Sequence, residues 1–305
     1  MKIIDKIVDM VIEGLENGTV PWRKTWKGIA PMNAFSEREY KGFNIFYLSF
    51  VCDWKGYSFP LFGTFKQISD AGGCVKKGEK SYPIVYWKVT EKAEDAINDE
   101  GNTKNSKKWF TPFYYNVFNL HQTEGIDIQK YTAQFSSKNN NPLDMCEKVT
   151  NCMPNPPQIV HKNSASAFYN PSKDVVNVPE ISYFEGSEAY YATTFHELGH
   201  STGHTSRLNR FKDNNSEFGR NSYDYEELVA EMTATLLCSH CGIEQTVENS
   251  VAYLTGWAKF LREERKSTLF GAATKAQAAA NYILGKPLEN VQPEEAEELI
   301  KVAVF

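Results

Sequence analysis

The sequence predicts an α+β protein of two domains, an N-terminal α+β domain over 1–135 and a helix-rich domain over 142–305. Three features carry that division. From Val20 to Phe118, short runs dense in aromatic and β-branched residues dominate. A polar stretch, Ser136-Ser137-Lys138-Asn139-Asn140-Asn141-Pro142, has linker composition. Beyond it, longer helical stretches surround the pentapeptide His196-Glu197-Leu198-Gly199-His200.

Residues 3–16 read as an amphipathic helix, because Ile4, Ile7, Val8, Val11 and Leu15 recur at helical spacing and Asn17-Gly18 stops it. Tyr82 to Trp87 and Trp109 to Phe118 read as strands, with Glu91 to Lys108 as a long polar hairpin connection. After the linker the pattern predicts a helix from Pro142 to Asn151 and a strand around Gln158–His161. A hairpin follows, Ser166 to Tyr169 and Val175 to Val178, turned by Asn170-Pro171-Ser172-Lys173-Asp174. Helical stretches are expected at about 187–204, 223–239 and 247–283.

Apolar content of 41% excludes a disordered chain, and a formal net charge of -5 excludes a generic polyanion binder while allowing a local basic surface. Asp5, Asp9 and Glu13 interrupt the N-terminal apolar residues, so no signal-peptide core is read there, and no run is long enough to span a membrane. The expectation is a cytoplasmic protein with no membrane partner. Six scattered cysteines do not form a disulfide framework, and Cys238-x-x-Cys241 lacks a second ligand pair, so it reads as buried thiols.

Two histidines four residues apart project from one helix face and can share a cation. Neutral imidazole suits zinc. Glu197, between His196 and His200, can act as general base toward a water whose pKa the metal lowers to about 7. A catalytic site needs a third protein ligand. Metzincin spacing would put a histidine at position 206, which is Ser206, and His204 is out of step by two. A later helix supplies acids instead: Glu227-x-x-Ala230-Glu231 resembles the ExxAD pattern of gluzincins, in which the first acid binds metal and the second orients a histidine ligand. Glu227 is therefore the expected ligand and Glu231 the acid behind a histidine, with Glu226 as the competing ligand. The cofactor expected is one Zn2+ per chain, other divalent metals being possible.

In the N-terminal half, Trp22, Arg23, Lys24 and Trp26 interleave rings and cations, a theme continued by Lys41, Asn44, Lys66, Lys76, Lys77 and Lys80. Aromatics stack on unpaired bases while cations follow phosphates, which are the two needs of a single-strand binder. Residues 1–130 carry 18 Lys+Arg against 16 Asp+Glu, and the remainder 15 against 22, so the asymmetry is in the right direction but small. Composition alone also fits an ordinary aromatic core.

These motifs together resemble ArdC-type antirestriction proteins of conjugative plasmids and mobile elements. The N-terminal likeness runs through Pro21-Trp22, Pro31-Met32-Asn33, Tyr40 to Asn44, Thr64 to Gln67 and Val75 to Lys80. The C-terminal likeness runs through Asp174 to Pro179, His196 to Arg210, Tyr225 to Leu237 and Tyr253 to Trp257. The resemblance implies an N-terminal single-stranded-DNA-binding domain joined to a zincin-like, gluzincin-type metallopeptidase domain. It implies binding of single-stranded DNA entering a cell and its protection from restriction; a protein or peptide substrate for the metal site does not follow from it, since such a domain can keep zinc for structure. The competing reading is a non-catalytic DNA-shielding protein whose zincin half is structural or partner-binding. A third reading, a cytosolic transcription-factor-cleaving peptidase, predicts no affinity for single strands.

Overall fold

The computed structural model describes residues 3–17, 30–93, 106–132, 142–161, 166–211, 222–243, 256, 258–262 and 267–286. The first helix, α1, spans Ile3–Glu16, where the periodicity put it. Next come β1 (Met32–Asn33), β2 (Arg38–Glu39), α2 (Phe43–Lys55), β3 (Leu61–Thr64), α3 (Phe65–Asp70) and β4 (Cys74–Val75). Two long strands, β5 (Tyr82–Ala93) and β6 (Ser106–Asn119), precede β7 (Thr123–Glu124) and α4 (Ile128–Thr132). The strands run further into the polar stretch than expected, with Glu91 paired to Lys108 and Ala93 to Ser106. The linker stretch expected at 136–142 lies outside the described residues up to 141.

The helix α2 corrects the strand-like reading of this half. Phe43, Ile45, Phe46, Tyr47, Leu48, Phe50, Val51 and Cys52 are all buried, so the helix is covered nearly all round and shows no polar face to betray its period. Its aromatic and β-branched content then mimics a strand. The sheet against it has the order β2-β1-β3-β6-β5, with β1 and β3 parallel and the other pairs antiparallel. Asn44, in the first turn of α2, closes its edge: its amide donates to the Val85 carbonyl at 2.7 Å and accepts from the Val85 N–H at 3.1 Å.

The C-terminal half comprises α5 (Pro142–Cys152), β8 (Gln158–Val160), β9 (Phe168–Asn170), β10 (Val175–Asn177), α6 (Ser187–Ser201), α7 (Ser222–Cys241) and α8 (Ser267–Ile283). The last expected helix is thus described at 258–262 and again as α8. The hairpin forms as read, β9 antiparallel to β10, with β8 parallel on the other side and Asp174 in the left-handed region at the turn (φ 50°), which Asp tolerates. One apolar cluster joins the two halves: Ile7, Val8 and Leu15 of α1 and Phe46 and Phe50 of α2 share it with Leu228, Val229 and Met232 of α7 and Leu269 and Phe270 of α8. The rings of Phe43 and Phe270 lie 4.2 Å apart between centroids. A second cluster, including Phe195, Leu198, Val176 and Leu237, lies under α6. Each fully buried side chain of this size contributes about 1.5–3 kcal/mol, so α7, shared by both clusters, is held firmly.

Candidate metal centre

The site is built where α6 crosses α7, and a glycine permits the crossing. A Cβ on Gly199 would stand 3.2 Å from the Thr233 Cβ and 3.3 Å from the Ala230 Cα, both on α7. Close approach of the backbones brings the last turns of α6 against the acids of α7.

His196, His200 and Glu227 meet there. The two Nε2 atoms are 3.1 Å apart, and the Glu227 carboxylate lies 3.4 Å from each of them. Three ligands bound at 2.0–2.1 Å in tetrahedral directions would be separated by about 3.3 Å, and in octahedral directions by about 2.9 Å. The triangle therefore fits one divalent first-row cation, and two imidazoles with one carboxylate are a suitable donor set for it.

Behind each ring stands a carboxylate. Glu231 is 4.0 Å from His196 Nδ1, as the sequence pattern implies, and Glu226 is 3.7 Å from His200 Nδ1. Glu226, the competing ligand, thus faces the far side of a histidine rather than joining the triangle. Buried Arg210 holds it there, donating from Nε and Nη2 to its two carboxylate oxygens and also to Thr202 Oγ1 and the Gly199 carbonyl.

Electrostatics follow from burial. Burial pushes the Glu197 carboxyl above its usual range, an effect that His196 and His200 partly offset, Glu227 reinforces and a hydrogen bond from the Tyr169 backbone N–H moderates. Burial acts the same way on Glu227, but hydrogen bonds from His196 and His200 win and hold it well below the ordinary carboxylate range. The Arg210 guanidinium likewise outweighs burial and keeps Glu226 ionised. Glu227 is thus the ionised carboxylate of the triangle, while the charge of Glu226 behind His200 is balanced by Arg210.

Two residues that the sequence did not single out complete the surroundings. Arg207, with a fully buried side chain, donates to the Ser201 carbonyl at 2.8 Å, the Asn155 carbonyl at 2.9 Å, the Tyr169 hydroxyl and the Asp174 carboxylate. It locks the β9–β10 turn to the end of α6. Arg210 does the same for α7. Their basic character within His196 to Arg210 was a visible signal, but which acid each would meet depends on the tertiary fold.

The predicted nucleic-acid residues are more dispersed. Trp22, Arg23, Lys24 and Trp26 lie outside the described residues. Lys41, Lys66, Lys76, Lys77 and Lys80 are all exposed, Lys76 donating to the His121 carbonyl at 2.9 Å. Asn44 spends both amide groups on Val85, as above.

Comparison with known proteins matches both halves. Residues 1–118 match the model of the N-terminal domain of the anti-restriction factor ArdC, and residues 148–275 that of a zincin-like metallopeptidase. Two Escherichia coli proteins named DNA primase TraC are 33% and 31% identical over 94% and 98% of this chain, which spans only 20% and 28% of their lengths. An uncharacterized protein, y4eC, of Sinorhizobium fredii is 30% identical, covering 92% of this chain and 91% of its own. The crystal structure of metal-free antirestriction ArdC from plasmid R388 superposes with a TM-score of 0.72 at 32% identity, covering 93% of this chain and 97% of that one. Its Mn(II)-bound form gives 0.69 at 32% identity, covering 96% and 100%. The chain belongs to the ArdC antirestriction protein family.

Proposed function

We propose that this chain is a single-stranded-DNA-binding antirestriction protein of a mobile element whose C-terminal half is a zinc peptidase. His196, His200 and Glu227 hold the metal and Glu197 serves as general base. The observation that carries this reading is the triangle of two Nε2 atoms and a carboxylate with the buried Glu197 beside it. A structural zinc site is closed by four protein ligands, whereas this cluster has three members among the described residues. When bound, the cation would polarise a substrate carbonyl and acidify water at its open position.

The chain's own groups do the rest. Glu197, whose proton affinity burial has raised, takes a proton and returns it to the leaving amine. The Tyr169 N–H fixes its carboxylate. Glu231 and Glu226 orient the two imidazoles through Nδ1. As the edge strand of its sheet, β9 offers a backbone on which an extended peptide can lie. DNA association is supported by the primase name of two relatives and the antirestriction name of the solved ones. In this chain it draws on the exposed Lys66, Lys76, Lys77 and Lys80.

Glu197→Gln tests the reading. The variant should keep one metal ion per chain and lose both peptide cleavage and protection of incoming DNA, whereas His196→Ala should lose the metal. One observation favours a second reading, a DNA-shielding protein with a structural metal: α7 carries the metal acids on one side and the shared core on the other. Unimpaired protection by Glu197→Gln would select it.

A further inference from the structure

We propose that the Tyr86–Phe113–Tyr115 face of the β5–β6 ribbon, where it leaves the core, is a base-stacking surface for single-stranded DNA. This rests on the single-strand-binding reading above and assigns it stacking rings, Tyr86, Phe113 and Tyr115, that were not named from the sequence. Cross-strand partners share a face, so Tyr82 and Val117, Ile84 and Tyr115, Tyr86 and Phe113, and Lys88 and Thr111 line one side in that order. The side begins in the core, where Tyr82, Ile84 and Val117 are buried. It then runs out of the core without changing character: Tyr115 is 48% exposed, Tyr86 58% and Phe113 40%. Only over Val117–Asn119 does β6 find a second partner in β3, so these rings stand on a two-stranded extension.

Nine large apolar side chains are exposed among the described residues, and five of them, all aromatic, lie on this ribbon or at its foot: Tyr86, Phe113 and Tyr115 on this face, and Tyr114 on the opposite one. The fifth ring at the foot is Phe65, 62% exposed; it leaves β3 after Thr64, whose register partner is Val117. Lys66 follows it and is exposed. Tyr86 and Tyr115 touch edge to face, their centroids 6.5 Å apart and their planes at 71°, so open ring faces remain. Along β6, Phe113 and Tyr115 are two residues apart, about 6.8 Å, a spacing that suits neighbouring unstacked bases.

Charge selects the occupant. On the same face, Lys88 is exposed beside the rings, and the two strands carry Lys88, Lys92, Lys107 and Lys108 against the single acid Glu91. The strands themselves thus carry a net +3 in a chain of net charge -5, while the residues 94–105 that join them carry four acids and one lysine. Rings interleaved with lysines answer the two needs of a single-strand binder, whereas duplex DNA would leave the rings unused.

The test uses the full chain, a fluorescent oligo-dT and fluorescence anisotropy at two salt concentrations. Tyr86→Ala with Tyr115→Ala should weaken binding at least about fivefold for each ring removed. Tyr86→Phe with Tyr115→Phe should bind as the parent does, and Tyr86→Leu with Tyr115→Leu should fail like the alanines. The leucine pair keeps the surface apolar, so it separates stacking from general stickiness if the alanine pair perturbs folding. A parent chain that does not bind the oligonucleotide refutes the single-strand reading itself. If the parent binds and the alanine pair binds equally well, the surface is misplaced. Retention by the leucine pair, or a shift of sedimentation mass without a change in affinity, identifies the face as a protein contact and overturns the proposal.

Discussion

Replacing Arg210 by Met should strand the Glu226 carboxylate in the interior. Arg210 and Glu226 are only 5% and 8% exposed, and removing one partner of a pair so buried costs about 3–5 kcal/mol. Adding Glu226→Leu leaves no charge behind, so the double variant should recover most of that loss. The recovery falls short by about 1 kcal/mol for each of Arg210's bonds to Thr202 and Gly199. Metal affinity should behave differently. In the double variant, His200 has lost the acid behind Nδ1, and affinity should stay about 10–100-fold below that of the parent. Urea unfolding in the presence of a chelator reads the first quantity, and competition with a chelating dye reads the second. A double variant that binds metal like the parent would refute an orienting role for Glu226. An Arg210→Met single variant with unchanged unfolding would refute the cost assigned to the pair.

Gly199→Ala should force α6 from α7 and destabilise the chain by about 1–3 kcal/mol, with weaker metal binding, measured by the same two assays. Asn44→Ala should cost about 1–3 kcal/mol by unpairing the Val85 backbone, yet leave the salt dependence of oligonucleotide binding untouched; a changed slope would return Asn44 to the DNA surface. Burial acts to raise the pKa of Asp174, but bonds from Arg207 and Tyr169 prevail and depress it. Its contribution is therefore present above the unfolded value of about 3.9 and lost as pH falls through the lower folded value. The stability gap between the parent and Asp174→Asn should hold from pH 7 to about 4 and close below that in urea titrations; a gap that persists at low pH would count against it.

What the sequence made legible was local. A four-residue spacing puts His196 and His200 on one side of any helix, and the acids at Glu227 and Glu231 repeat that spacing on the next. The hairpin at Phe168–Asn177 was marked by its turn residues. The interior helix α2 was not legible, because a helix buried all round has no polar stripe. Nor were the partners of Arg207 and Arg210, since a loop arginine can meet any acid that folding brings to it. Asn44 shows the same limit: the sequence grouped it with Lys41 and Lys66, and its bonds to Val85, 41 residues away, could not be read there.

The shared helix α7 carries a thermodynamic obligation. Its acids Glu226, Glu227 and Glu231 serve the metal triangle, while Leu228, Val229 and Met232 serve the cluster that also holds α1 and α2. An ion captured by α6 and α7 favours the native ensemble by mass action, and that gain is delivered to whatever α7 supports, the N-terminal sheet included. Linkage is reciprocal: under the proposed function, a DNA strand that stabilised the N-terminal half against unfolding would tighten the grip on the ion only as far as α7 couples the two.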